Sequence, residues 1–285
     1  MKRDGFTLIE LTLVLFLLAL AAHLGVREMS RVRASRLREA AARQLDEIAA
    51  AVYDDCGGEV RGFLSDMGRL PLASRAGEGA PLDLRELWEK PDGMGGLRAR
   101  PASAENLAPG APAGIEDAAV LVPCGWGGPY VRLRAGADRL RDPWGNPFET
   151  PDAAGLARLL DAGLEAVDAT NRPVAAIRHF GSDGMREEDR PAALPEQADA
   201  LRAFETNAAG ALLTFEPGSV TRICWYAPLG DKVTGGLVEV PEGASQALAA
   251  GLPPGVRFFK VFRADGTTRI VQAPLRAGRD TALSL

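Results

Sequence analysis

Gly5-Phe6-Thr7-Leu8-Ile9-Glu10-Leu11, directly behind the polar leader Met1-Lys2-Arg3-Asp4, decides how this chain is laid out. From Phe6 to Val26 the only polar residues are Thr7, Glu10, Thr12 and His23. At ~1.5 Å per residue the run is about long enough to cross a ~30 Å hydrocarbon core, so it reads as one membrane helix. No convincing small-residue cleavage site of the secretory kind follows it. Glu10 lies inside the run, where an ionisable group costs on the order of 2.5–3.5 kcal/mol and marks a functional position in need of a partner.

Beyond Val26 the helix is expected to continue. Leu37, Ala41, Leu45, Ile48 and Val52 recur at steps of three and four, which lays one apolar stripe along an amphipathic helix and calls for a globular head against it. Gly57-Gly58 supplies the stop, and the head is expected to begin near Phe63. The flank behind the membrane run carries Arg27, Arg31, Arg33, Arg36, Arg38 and Arg43 against Glu28 and Glu39, whereas the leader has only Lys2 and Arg3. A bare positive-inside count therefore places the body on the cytoplasmic side. Lipid headgroups, the inner surface of a filament and plain solvent are the candidate surroundings of these arginines.

At 285 residues, 46% hydrophobic and 25% charged, the chain has the composition of a globular protein of one or two domains beyond its anchor. A net charge of -5 gives no support for nucleic-acid binding, and none is expected. The cysteines Cys56, Cys124 and Cys224 are too few for a disulfide scaffold and form no CxxC pair. In an oxidising compartment they allow one bridge, for which Cys56 and Cys124, flanking one small domain, are the chosen pair; three buried free thiols is the alternative.

Two histidines, His23 and His179, leave little material for a histidine triad or a multi-histidine metal site. With no phosphate loop, dinucleotide fingerprint or nucleophile elbow either, the chain is not expected to be an enzyme.

Between Asp66 and Gly184 four turn-rich motifs follow one another: Asp66-Met67-Gly68-Arg69-Leu70-Pro71, Gly125-Trp126-Gly127-Gly128-Pro129-Tyr130, Asp142-Pro143-Trp144-Gly145-Asn146-Pro147-Phe148 and Phe180-Gly181-Ser182-Asp183-Gly184. Each combines backbone-fixing Asp, Gly and Pro with aromatic area for a core. A short helix from Leu156 to Val167 and a strand from Val174 to Phe180 are expected between the last two. From about Asp199 the character changes to short strands: Ala211 to Phe215, Val220 to Tyr226, Gly236 to Val240, Val256 to Arg263, Thr268 to Ala273 and Thr281 to Leu285. Pro-Gly, Gly-Asp, Pro-Pro-Gly and Asp-Gly turns separate them. Ala264-Asp265-Gly266-Thr267 is the clearest hairpin, and the series reads as a β-sandwich that binds or spaces.

The leader, Gly5, Phe6 and an acid four residues on resemble the prepilin leader of type IV pilins and type II secretion pseudopilins. The head motifs, together with Leu84 and Leu87, are similar to those of the major pseudopilin subfamily. The resemblance covers the chain to about residue 198. It implies leader 1–5, helix 6–56 with 6–26 in the membrane, and a head over 57–198 built on a small antiparallel sheet; with the C-terminal β-sandwich-like domain 199–285 read from its strands, the expected fold class is α+β. It implies a prepilin peptidase that cuts between Gly5 and Phe6 and methylates Phe6, with Glu10 meeting the new amine on a neighbouring subunit. The implied setting is the bacterial inner membrane, crossed once, with a cytoplasmic leader and a periplasmic body. This orientation opposes the arginine count, and it is preferred because long domains can translocate despite charge. The implied partners are other pseudopilins and an inner-membrane assembly platform.

In that subfamily the loop behind the last sheet strand binds calcium, which maps here onto Asp183, Asp189 and the Phe180 carbonyl. Met185-Arg186-Glu187-Glu188 and Arg190 depart from the usual Gly-rich surroundings. Arg27 stands where the family usually has Pro, and the added C-terminal domain is unusual for a major subunit; both point to a minor or tip subunit or to a relative of the secretion system. A type IV pilin for adhesion or DNA uptake, and an anchored binding protein working through its C-terminal domain, are the alternatives.

Overall fold

The computed structural model describes residues 8–53, 62–75, 82–150, 176–179, 200–203, 209–276 and 280–285. Its longest element is α1, Leu8–Val52, 45 residues without a break. Up to Val32 its large apolar side chains are uncovered, Leu8 at 80% and Met29 at 76%. Packing starts at half-buried Leu37 and is complete from Ala41 through Leu45, Ile48, Ala49 and Val52. The three-and-four stripe is thus the face that meets the head, and the part of α1 ahead of Val26 is uncovered by the described residues.

The stripe packs on α2, Phe63–Met67, and on Leu84, Leu87, Leu140, Phe148 and Ile177. All five residues of α2 are buried. Gly68 ends it in the left-handed region (φ 66°), where its N–H donates to the Leu64 carbonyl at 2.9 Å. Only glycine takes that conformation without steric cost. The head also holds β1 (Ser74–Arg75), β2 (Leu82–Asp83), a 3-10 turn (Arg85–Leu87), the antiparallel hairpin β3 (Arg98–Ala102) and β4 (Asp117–Cys124), and the antiparallel pair β5 (Ala176–His179) and β6 (Ala200–Ala203). β5 falls inside the strand expected from Val174 to Phe180. The expected helix over 156–167 lies outside the described residues.

The C-terminal third is β throughout. β7 (Ala209–Thr214), β8 (Val220–Leu229), β9 (Lys232–Val238), β10 (Gln246–Leu252), β11 (Gly255–Arg263), β12 (Thr268–Leu275) and β13 (Asp280–Ser284) form two sheets, ordered β10-β7-β13 and β12-β11-β8-β9. Six overlap the expected strands, β9 by Gly236 to Val238 alone. β10 was not anticipated: Gln-Ala-Leu-Ala-Ala-Gly-Leu has no β-branched residue, and pairing with β7 makes it a strand, burying Ala247, Ala249 and Leu252. β13 pairs with β7 in parallel; the other pairs are antiparallel. The Asp265-Gly266 turn joins β11 to β12 as expected, with the Arg263 N–H donating to the Thr267 carbonyl at 2.9 Å.

The two sheets face each other across a core of Ala211, Leu213, Ile223, Phe259, Val261, Ala273 and Leu275. The four-stranded sheet is covered on its other face too. There Cys224, Tyr226, Val233 and Phe258 pack on Ala102, Ile115, Val120, Val122 and Cys124 of the β3–β4 region. Burial on both faces explains why Gly255–Arg263 is buried almost without alternation. Of its charged residues Arg257, Lys260 and Arg263, Lys260 is paired with Asp117 of β4 and lies 5.2 Å from the Phe262 ring. One core cluster therefore joins side chains from both sides of residue 199.

Candidate functional site

Gly5 and Phe6 lie outside the described residues, while Glu10 falls in the first turns of α1, inside its apolar part. From Leu11 onward α1 is long and apolar enough to cross a membrane, and none of that apolar window is buried against the chain. The protein has one N-terminal helix suited to a single-pass anchor.

The first two head motifs meet at one joint. Glu86 accepts both terminal nitrogens of Arg69 at 2.7 Å each and the Leu72 N–H at 2.7 Å, while its carbonyl accepts the Trp126 indole N–H at 2.6 Å. Next to it the Leu87 carbonyl accepts the Tyr130 N–H at 2.7 Å, and the Tyr130 hydroxyl donates to Asp66 at 3.0 Å and accepts the Gly127 N–H at 2.8 Å. Tyr130 stands edge-on to Phe63 and Trp126, and Arg69 lies 5.5 Å over the Phe63 ring. The fork-to-fork pair neutralises Glu86, and its carboxylate oxygens are held by the surrounding chain. These motifs are structural ties, as the turn-and-core reading expects.

The turn of β8 and β9 is wedged into the same joint. The Gly230 N–H donates to the Met67 carbonyl at 2.8 Å, and the Gly230 carbonyl accepts the Gly125 N–H at 2.9 Å. Alongside, Val233 and the 106–108 segment exchange backbone bonds of 2.9 and 2.7 Å, and Asp231 meets Arg100 at 3.4 Å. At the β10–β11 corner, Arg257 has no exposed surface; its Nε donates to the Pro253 carbonyl at 2.7 Å and Nη1 to the Val256 carbonyl at 2.8 Å.

Asp142 builds the third motif by accepting the N–H groups of Trp144 (3.0 Å) and Asn146 (2.8 Å). Gln44 of α1 ties this turn to the helix by donating to the Arg141 carbonyl at 2.8 Å. A groove of about 520 Å³ opens here between α1 and residues 131–145, with Arg43, Arg132, Arg134, Arg139, Arg141 and Glu47 on its walls. Behind it Asp83 is buried, which pushes its carboxyl up to about 6 against the opposing pull of the Leu84 and Leu140 N–H groups and of Arg139 and Arg85. Neither this groove nor Glu86 was singled out from the sequence. Val131-Arg132-Leu133-Arg134 and Arg139-Leu140-Arg141, basic and apolar residues in alternation, were the available signal.

β5 carries buried His179 to a ring-centre distance of 5.6 Å from Trp144. Arg178 and Glu149 are an ion pair at 3.5 Å, also buried. Phe180, Asp183 and Asp189 lie outside the described residues; among the described residues no group of three His, Cys, Asp or Glu side chains is placed to hold a metal. Cys124, named above as the partner of Cys56, is a free buried thiol, as is Cys224, and Cys56 lies outside the described residues. Burial pushes the Cys124 thiol up, away from the reactive thiolate.

Comparison of the chain with family models, with curated proteins and with solved structures finds no match.

Proposed function

We propose that this chain is a pseudopilin: an inner-membrane protein that a prepilin peptidase cuts between Gly5 and Phe6 and methylates on Phe6. It then assembles through its N-terminal helix into a periplasmic filament of a type II secretion-like system. The observation that carries the reading is the division of α1 into an uncovered apolar half and a half packed on a head. The first half needs a bilayer or other copies around it, and the second holds the head clear of the membrane.

In this reading Glu10 is tolerated in the hydrocarbon because a neighbouring copy offers it the amine freed at Phe6. A charge that costs a lone helix a few kcal/mol then becomes the contact that sets the register of packed helices. The leader stays cytoplasmic and the head and C-terminal sheets are periplasmic, forming a β-sandwich fused to the head. That fusion, through a shared core, fits a subunit whose C-terminal strands complete its surface better than it fits a ligand-binding module on a borrowed anchor. Calcium held by Asp183, Asp189 and the Phe180 carbonyl belongs to the same proposal, and a calcium-dependent rise in melting temperature tests it.

Mass spectrometry of the N-terminus, on protein made together with a prepilin peptidase, tests the function. A mature chain starting at N-methyl-Phe6 is expected. An intact Met1 would overturn the reading.

A further inference from the structure

The groove between α1 and residues 131–145 gathers positive charge on a chain whose net charge is -5. Arg43, Arg132, Arg134, Arg139 and Arg141 stand on its walls. Two of them are engaged: the Arg141 Nη1 donates to the Gly145 carbonyl at 2.9 Å, and Arg139 meets exposed Asp138 at 3.3 Å. Even so, the Nε of Arg139 is buried without a hydrogen-bond partner. Arg43, Arg132 and Arg134 are exposed and form no hydrogen bond or ion pair among the described residues. The carboxylates on the same walls do not answer them. Asp142 is buried and accepts the N–H groups of its own turn, and Glu47 forms no ion pair among the described residues. Three guanidinium groups therefore share one cavity with no opposite charge to meet.

The rest of the lining narrows the choice of ligand. It includes Val131, Leu133 and Trp144, which are apolar and only half-buried, and basic and apolar residues alternate along Val131-Arg132-Leu133-Arg134. An inorganic anion would leave that apolar surface in water. Headgroups of the chain's own bilayer do not reach the groove. At ~1.5 Å per residue beyond Val26, its first α1 residue, Ala40, stands about 20 Å out and Ile48 about 33 Å. The headgroup layer adds only roughly 5–8 Å to each side of the hydrocarbon core. A long nucleic acid would leave the groove and meet the field of a net-negative chain.

We propose that the groove binds a short acidic segment of a partner protein, whose carboxylates meet Arg43, Arg132 and Arg134 while its apolar side chains cover Leu133 and Trp144. The volume of about 520 Å³ falls within the range of about 300–1,000 Å³ usual for ligand sites, and so does the make-up of the lining, apolar with a few charged groups. Arginine clusters are a recurring way of reading acidic motifs, since the guanidinium fork matches a carboxylate in two hydrogen bonds. Binding would also give the buried Nε of Arg139 an acceptor within reach of its wall. The site belongs to the head and the α1 segment packed on it, so it needs no assembly of copies.

The test is fluorescence anisotropy with the full-length protein in micelles of a neutral detergent at physiological salt, with empty micelles subtracted. The probe is a fluorescein-labelled peptide of alternating glutamate and leucine. Two comparison peptides carry glutamine in place of glutamate, or serine in place of leucine. Saturable binding of the probe is expected, at least about tenfold tighter than that of the glutamine peptide. The double variant Arg132→Glu with Arg134→Glu should weaken it by at least about tenfold, because two attractions become repulsions, with an unchanged melting temperature. Arg33→Glu with Arg36→Glu makes the same change of net charge about 10 Å or more along α1 from Arg43, beyond the Debye length, and should stay within about threefold of the parent. Absence of binding, equal binding of the glutamine peptide, or an equal loss in both double variants would overturn the proposal. So would equal binding of the serine peptide together with its displacement by millimolar phosphate, which would make the groove a site for small anions.

Discussion

A Cβ on Gly68 would overlap the carbonyl oxygen of Pro228, so the residue that ends α2 touches the backbone of β8 with no room for a side chain. The contact joins a head motif to the C-terminal sheet at atoms that no rotamer change can move. It also occurs at a positive φ, which L-residues adopt only at a cost.

Gly68→Ala is therefore expected to destabilise the protein by about 2–4 kcal/mol, from the left-handed conformation and from overpacking against backbone. Urea unfolding should show a lower midpoint with an unchanged m-value. A midpoint within error of the parent would mean that head and sheet are not held at this distance.

The Arg69–Glu86 fork gives a second test. Glu86→Gln keeps the shape but removes the charge and turns one acceptor into a donor facing Arg69 or the Leu72 N–H. Because the pair is only partly buried, a loss of about 2–3 kcal/mol is expected, and about 1–2 kcal/mol for Arg69→Lys, which keeps the charge without the fork. Thermal unfolding of the single and double variants should give a coupling of about 1–3 kcal/mol.

Asp83 predicts a pH dependence. Its folded value of about 6 lies above the ordinary value of 3.8, so the folded state holds the proton more tightly than the unfolded state does. The stability it contributes is full below about pH 4 and is lost as the pH rises through about 6, a change on the order of 2–3 kcal/mol. Asp83→Asn should flatten the slope between those limits and raise stability at pH 7.5 by about 1–2 kcal/mol, since the amide oxygen keeps one N–H but not both. Lower stability at pH 7.5 with an unchanged slope would refute this account.

Glu10→Ala should leave membrane insertion and peptidase cleavage largely intact, because it removes a polar group from an apolar helix, while filament assembly falls. Immunoblotting of membrane and sheared-filament fractions separates the two effects. Normal filaments from this variant would remove the registry role.

Removing residues 199–285 should unfold more than the part removed. Ala102, Ile115, Val120, Val122 and Cys124 would lose the far side of their core, and the Met67 carbonyl its partner. The expected outcome is loss of a cooperative melting transition in residues 1–198. A truncated chain that melts cooperatively near the parent temperature would show that the shared core matters little.

Local features of the fold were legible in the sequence. The stripe from Leu37 to Val52 is one, because helical period and burial are the same fact there; the Asp265-Gly266 hairpin is another. What stayed hidden depends on residues distant in sequence. Lys260 reads as an intruder in an apolar strand until Asp117, 143 positions away, is seen beside it. Ala-rich β10 has no strand propensity of its own to read, and β13 closes its sheet in parallel, which no short turn announces. Of the motif read at Gly5, Phe6 and Glu10, only Glu10 falls among the described residues, in α1. The groove arginines were not legible, since the closeness of α1 to residues 131–145 is a product of packing.

The Gly230 turn completes the surroundings of α2 although more than half of the chain separates Met67 from Gly230. The N-terminal helix is thus made well before the piece that finishes the head, so folding of the head waits on synthesis of β8 and β9. A chain cut short between the two by a protease or an early stop would keep its apolar helix but lack the contacts that close the head over α2.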